Sequence, residues 1–191
     1  MRHTLRVLVV AVALALPFVP ALAQDERELS EEARKQYATA LQEAAVLVNT
    51  RQFDSAKEKL AALSTQRPRE PRARFLKGVV EFEQGHPDAA IVVFRSLIED
   101  YPELPEPYNN LAVILAQRGE YESARAALET AIRTAPGWSV PHENLGDIYA
   151  RLAAAEYAQA AKFDKSNKTA PAKLALVRDL LANAAPAKPK S

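Results

Sequence analysis

The sequence predicts an all-α solenoid of stacked helical hairpins, and three observations carry that prediction. Residues recur every 34 positions: Pro68, Pro102 and Pro136 keep this spacing, as do Ala56, Ala90 and Ala124, and again Leu60, Phe94 and Leu128. A small-residue series, Ala44, Gly78, Ala112 and Gly146, runs in the same register, with Gly85 and Gly119 repeating beside it. Within each period the apolar residues fall at helical spacing. A single hairpin of this kind leaves much of its apolar surface wet, so neighbours must stack on it.

The first segment is unlike the rest. Residues 1–23 join a basic start, Arg2 and Arg6, to an apolar stretch over 7–16, a break at Pro17 and Pro20, and Ala21-Leu22-Ala23. This is the pattern of a secretory signal cleaved after Ala23. An apolar run of about ten residues falls short of the roughly twenty that a spanning helix needs. Removal of the segment leaves 23 Lys and Arg against 24 Asp and Glu. A near-neutral surface is a poor partner for a phosphate backbone, so no nucleic acid is expected. The chain has no Cys, which excludes thiolate metal sites, thiol nucleophiles and a lipid-bearing cysteine, so no stable membrane anchor is expected after cleavage.

After an extension over 24–36, the first helix is expected to begin near Ser30 as N-cap, followed by Glu31 and Glu32, which suit a helix N-terminus. The first hairpin lacks the turn glycine: Arg51 stands there, although Phe53, Ala56, Leu60, Leu63 and Pro68 keep the second helix in phase. The second hairpin carries Phe75, Leu76, Val79, Val80 and Phe82, with Lys77 and Glu81 at positions that should be apolar. Two readings stay open. Phe75, Val79 and Phe82 pack in the core while Lys77 and Glu81 pair on the surface, or they form an apolar strip on a ligand-facing wall.

The third hairpin is the most regular. Tyr108, Leu111, Ala112 and Leu115 make one face of its first helix, and Gly119 permits the turn because only glycine takes positive φ freely. Tyr121, Ala124, Leu128, Ala131 and Ile132 face inward from its second helix, which Pro136 stops. Ala112 and Ala124 lie where the paired helices cross, and larger side chains would hold the axes apart. The fourth unit starts with Leu145-Gly146 and Tyr149 but then loses five residues, turn included, since Leu128 to Tyr157 and Ala131 to Ala160 are each 29 apart. Helical spacing continues across the join, so one continuous helix is expected in place of a hairpin, with a tight kink near Ala153–Ala155 as the competing reading. Pro171 opens a last amphipathic helix with Leu174, Val177, Leu180 and Leu181 on one side, an expected C-terminal cap over 168–183, and 184–191 should be a disordered tail.

These residues resemble the tetratricopeptide repeat. Its pattern of an aromatic, Leu-Gly/Ala, an aromatic or Leu, Gly, Tyr, Ala, a large apolar residue, Ala and Pro is matched by Tyr108, Leu111-Ala112, Leu115, Gly119, Tyr121, Ala124, Leu128, Ala131 and Pro136. The resemblance covers 37–167, as repeats over 37–70, 71–104, 105–138 and a shortened 139–167. It implies a right-handed superhelix of about three and a half repeats. Signal-bearing members look like envelope assembly factors and scaffolds of Gram-negative bacteria. The resemblance therefore implies a periplasmic adaptor for a protein or extended peptide, or else a homo-oligomerising module or an accessory subunit of an envelope or secretion machine.

Catalysis is not expected. His86 and His142 sit on different repeats at helix ends, and no phosphate loop, H-E-x-x-H helix or G-x-S-x-G elbow occurs. No cofactor or metal is expected, and Glu99, Asp100, Glu103 and Glu106 are read as a solvated loop. The expected site is a groove lined by the first helices. Steps of 34 assign to it Phe75, Asn109 and Glu143; Val79, Val113 and Asp147; and Glu83, Gln117 and Arg151, with Phe82 and Asn110 alongside. Few cations lie among them and Asp147 has the wrong sign, so a clamp on a C-terminal carboxylate is not expected. The amides of Asn109, Asn110 and Asn144 offer both donor and acceptor to an extended backbone. Trp138, at a repeat junction, is expected to pack on Pro141 or the next helix.

Overall fold

The computed structural model describes residues 19–183. The signal reading, for residues 1–18, and the tail reading at 184–191 lie outside the described residues. Two compact units divide the chain, 1–39 and 40–191. Helix α1 (Val19–Asn49) carries the division. In its first unit Gln36 Nε2 donates to Glu32 Oε1 one turn earlier at 3.3 Å. Ser30 is not an N-cap, because the helix already runs through it. Pro20 falls in the first turn, where proline is tolerated, and the residues after it are mostly good helix formers.

In the second unit the helices are α2 (Phe53–Gln66), α3 (Pro71–Glu83), α4 (Pro87–Asp100), α5 (Pro105–Gln117), α6 (Tyr121–Thr134), α7 (Ser139–Phe163) and α8 (Thr169–Asn183). From α2 onward each helix packs on the next, and α5 also touches α7. The sequence period sets the boundaries: α2, α4 and α6 start at 53, 87 and 121, and α3, α5 and α7 start at 71, 105 and 139. Proline opens α3, α4 and α5 within the first turn, where its missing N–H would have had no intrahelical partner.

The three turns are copies of one device. Gly85 and Gly119 take φ of 83° and 77°, and each sits in a Schellman closure. Gly85 N donates to Phe82 O and His86 N to Glu81 O; one period later Gly119 N donates to Ala116 O and Glu120 N to Leu115 O. The first hairpin closes identically, with Arg51 N donating to Val48 O and Gln52 N to Leu47 O, although Arg51 must adopt φ 59° to do so. A non-glycine residue in this region costs about 1–3 kcal/mol. Arg51 offsets part of that by pairing with Glu83 at 2.6 Å and lying over the Phe53 ring at 5.2 Å.

The small residues sit where the helices cross. Ala56, Ala90 and Ala124 have no exposed surface, and Leu60, Phe94 and Leu128 beside them are almost fully buried. Glu81 does not pair with Lys77. Its carboxylate meets Lys57 Nζ at 3.2 Å and His86 Nδ1 at 3.0 Å. Burial pushes the Glu81 carboxyl up, but the hydrogen bonds and charges of Lys57 and His86 outweigh it and hold the pKa below its usual value. His142 Nε2 meets Pro136 O at 3.2 Å.

The shortened fourth unit is one helix, α7, continuous through 144–163 as its spacing predicts. α8 then returns along it, with Lys173 Nζ 5.6 Å from the centre of the Tyr157 ring. Trp138 is the half-buried N-cap residue of α7, its N–H donating to Ala135 O at 3.1 Å, and Pro141 lies buried in the first turn.

Candidate functional site

The first helices α3, α5 and α7 start in the same register, so side chains 34 apart line up in rows across them. Two clefts open along these rows. A cleft of about 310 Å³ lies among α5, α6 and α7, and Val113, Gln117, Asn144, Asp147 and Arg151 reach it from the first helices. Tyr121 and Leu128 complete its wall from α6. A second cleft of about 380 Å³ is bounded by Gln42, Ala45 and Asn49 of α1, Arg72, Phe75 and Leu76 of α3, and Leu104, Glu106 and Pro107 at the start of α5.

The polar cleft gathers four of the residues assigned from the 34-residue steps: Val113, Gln117, Asp147 and Arg151. Asp147 and Arg151 stand one turn apart on α7, so a carboxylate and a guanidinium face the same space. Gln117 adds an exposed amide at the end of α5. These groups can donate to and accept from an extended backbone, and Arg151 can hold a carboxylate with two parallel bonds.

Other assigned residues lie elsewhere. Asn109 is completely buried and Asn110 is 2% exposed, so neither lines an open wall. The cause is the approach of α7 to α5: Asn144 Nδ2 crosses between them and donates to Asn109 Oδ1 at 2.8 Å. The Asn110 amide has no hydrogen-bond partner among the described residues. Glu143 is exposed and borders neither cleft described above.

The two readings of the second hairpin divide by residue. Val79 is core, 3% exposed, which corrects its assignment to the groove. Phe82 is half-buried and does not border these two clefts. Phe75 serves both purposes: its ring lies 5.8 Å from the Phe94 ring and its half-exposed edge forms part of the second cleft.

Sequence reasoning missed Asn49, Arg72 and Glu106, and of its three Asn amides only Asn144 reaches either cleft. The period already contained them. Arg72 and Glu106 are 34 apart, as are Asn110 and Asn144, and Asn49 extends backward the row of Glu83, Gln117 and Arg151. Arg72 Nη2 donates to Gln42 Oε1 at 3.2 Å, which ties α3 to α1 at the rim.

Two family models, both described as tetratricopeptide repeat, match residues 41–105 and 81–143, together more than half of the chain. No curated protein sequence matches it. Among solved structures it is similar to a fragment of MamA from Desulfovibrio magneticus RS-1, with a TM-score of 0.53, 21% identity, and coverage of 81% of this chain and 82% of that one. It is also similar to pilF of Pseudomonas aeruginosa, with a TM-score of 0.57, 20% identity, and coverage of 78% of this chain and 69% of that one. A tetratricopeptide repeat protein from Parabacteroides merdae gives a TM-score of 0.54 at 18% identity over 78% of this chain and 61% of its own. At these identities the likeness is one of fold.

Proposed function

Since this chain belongs to the tetratricopeptide repeat family, we propose that it is an exported adaptor that holds a protein or extended peptide client in the cleft among α5, α6 and α7. Repeats of this family are non-enzymatic interaction scaffolds, and the fold supports protein binding as the activity. The observation that carries the reading is the convergence of Gln117, Asn144, Asp147 and Arg151 with Val113 and Tyr121 in one open space. An extended chain presents alternating amide donors and acceptors, and this wall offers both beside apolar surface for its side chains. The signal-like pattern of residues 1–23 supports export. A periplasmic role in envelope assembly or maintenance is the setting we infer.

The test is site-specific photo-crosslinking in cells. A photoreactive residue at Gln117 should capture a second protein species, identified by mass spectrometry, and Arg151→Glu should abolish the adduct. The same group at Val92, exposed on α4 and distant in sequence from the cleft, is the control. Equal capture from both positions, or adducts formed only between copies of this chain, overturns the adaptor reading, the second outcome in favour of self-assembly. Fractionation in the same cells tests export: the mature chain should start at Gln24 and leave with the periplasmic contents.

A further inference from the structure

The C-terminal end of the array departs from what a solenoid end requires. A terminal helix should show a polar outer face, because no further repeat covers it. Helix α8 instead has one apolar stripe facing inward and two leucines on its outer side. Ala170, Leu174, Val177 and Leu181 form the inner stripe, buried or half-buried. The adjoining row runs through Thr169, Lys173, Leu176 and Leu180, at i, i+4, i+7 and i+11, and Leu176 and Leu180 are 70% and 61% exposed. At the turn that leads into this row, Phe163 is 83% exposed. Exposure of this degree belongs to side chains that protrude, not to the floor of a groove.

Charge indicates what these protruding groups meet. Around them stand five exposed cations, Lys162, Lys165, Lys168, Lys173 and Arg178, against two carboxylates, Asp164 and Asp179. Asp164 is engaged locally, accepting from Ser166 N at 2.9 Å and Ser166 Oγ at 2.7 Å. The ion pairs among the described residues lie between residues 43 and 129, so these cations stay unneutralised by them. Residues 77–161 are the opposite, with six Lys and Arg against thirteen Asp and Glu. Symmetric pairing of two copies through this end would set cations against cations. No helix among the described residues is long and apolar enough to cross a membrane, and α8 is only 15 residues long. Exposed leucines and an aromatic group beside lysines suit a lipid interface, where apolar insertion and attraction to anionic headgroups act together.

We infer that the α7–α8 turn and the outer leucines of α8, Leu176 and Leu180, dock reversibly on an anionic lipid bilayer. The contact is peripheral and depends on two signals at once, so it should fail when either is removed.

The test uses the mature chain from Gln24 carrying Trp138→Phe and Phe163→Trp, which puts the single reporter indole in the proposed contact. Phosphatidylglycerol and phosphatidylcholine vesicles, mixed in equal parts, should shift the indole emission to the blue, and phosphatidylcholine alone or high salt should not. Leu176→Ser with Leu180→Ser, and separately Lys165→Glu with Lys168→Glu, should each weaken the apparent vesicle affinity by about tenfold or more. All four positions are exposed, and circular dichroism checks that the fold persists. An indole unmoved by any lipid overturns the inference, as does an equal shift on neutral vesicles. So does a shift produced by an acidic peptide such as polyglutamate but not by vesicles, which would make the partner a protein.

Discussion

In the second hairpin Gly78 lies against Phe94, and in the third, 34 residues later, the same two positions hold Ala112 and Leu128. A Cβ built on Gly78 would come within 2.6 Å of Phe94 Cε1. The large ring has taken the space of the missing methyl, so the two crossings fill similar volume with opposite divisions of it. Interiors packed at crystal-like density require compensation of this kind. What a crossing fixes is therefore the sum of the two side chains rather than the residue at each position.

Breaking the second crossing has the largest expected effect. Phe94→Ala removes a ring that is 1% exposed and should destabilise the array by about 3–5 kcal/mol in chemical denaturation. Gly78→Ala should cost about 1–3 kcal/mol, because Phe94 must shift to admit the methyl. The sharper test combines Gly78→Ala with Phe94→Leu, which gives the second hairpin the division of the third. If summed volume is what the crossing fixes, the double variant should be more stable than Phe94→Leu alone. A double variant as unstable as the sum of the singles would show that the two crossings differ in backbone spacing instead.

The same pair of hairpins differs in polarity one residue row away. Leu76 and Asn110 are equivalent positions, 3% and 2% exposed, and only the second is polar. A buried amide without a partner costs about 1–3 kcal/mol relative to a satisfied one. Asn110→Leu, which copies the second hairpin into the third, should raise stability by about 1–2 kcal/mol. If Gln117 crosslinking to a client weakens in that stabilised variant, the amide is retained for binding; unchanged capture would separate it from the site.

The contrast also explains what could be read from the sequence. The period located the turns at 85 and 119 and the breaks at 68, 102 and 136, because glycine and proline there act through the backbone alone. It also foretold the fate of the fourth unit, since deleting the turn leaves nothing to reverse a helix. The wall residues were harder. Val79 and Val113 are both buried, yet only the latter contributes to the polar cleft. Whether a first-helix residue faces a cleft depends on how closely the next first helix approaches. That distance is set by packing such as the contact of Asn109 with Asn144, which no single position reveals. The exposed leucines on α8 are hidden for a related reason. Helical spacing puts Leu180 on one amphipathic face with Leu174, Val177 and Leu181, but only those three are half-buried, and Leu180 stays 61% exposed. How wide a stripe the neighbouring helix covers is a property of the packing, not of the pattern.

The smallest predicted effect comes from carrying the Gly78 comparison to its end. Gly146 occupies the same place in the period, but a Cβ there meets nothing within 4 Å. The reason is the lost turn. In the second hairpin α4 folds back and lays Phe94 on Gly78, whereas α7 runs straight past Gly146 with no second helix of its own to cover it. The glycine stands at its place in the period without the contact that requires it in the second hairpin. Gly146→Ala should then behave as a substitution inside an exposed helix, raising stability by about 0.5–1 kcal/mol through helix propensity. The opposite sign to Gly78→Ala is the informative part, and thermal denaturation of the two variants side by side reads it directly. Loss of stability in Gly146→Ala would mean that another surface closes on α7 in solution at that point, and the missing helix of the fourth unit would then be supplied by a partner.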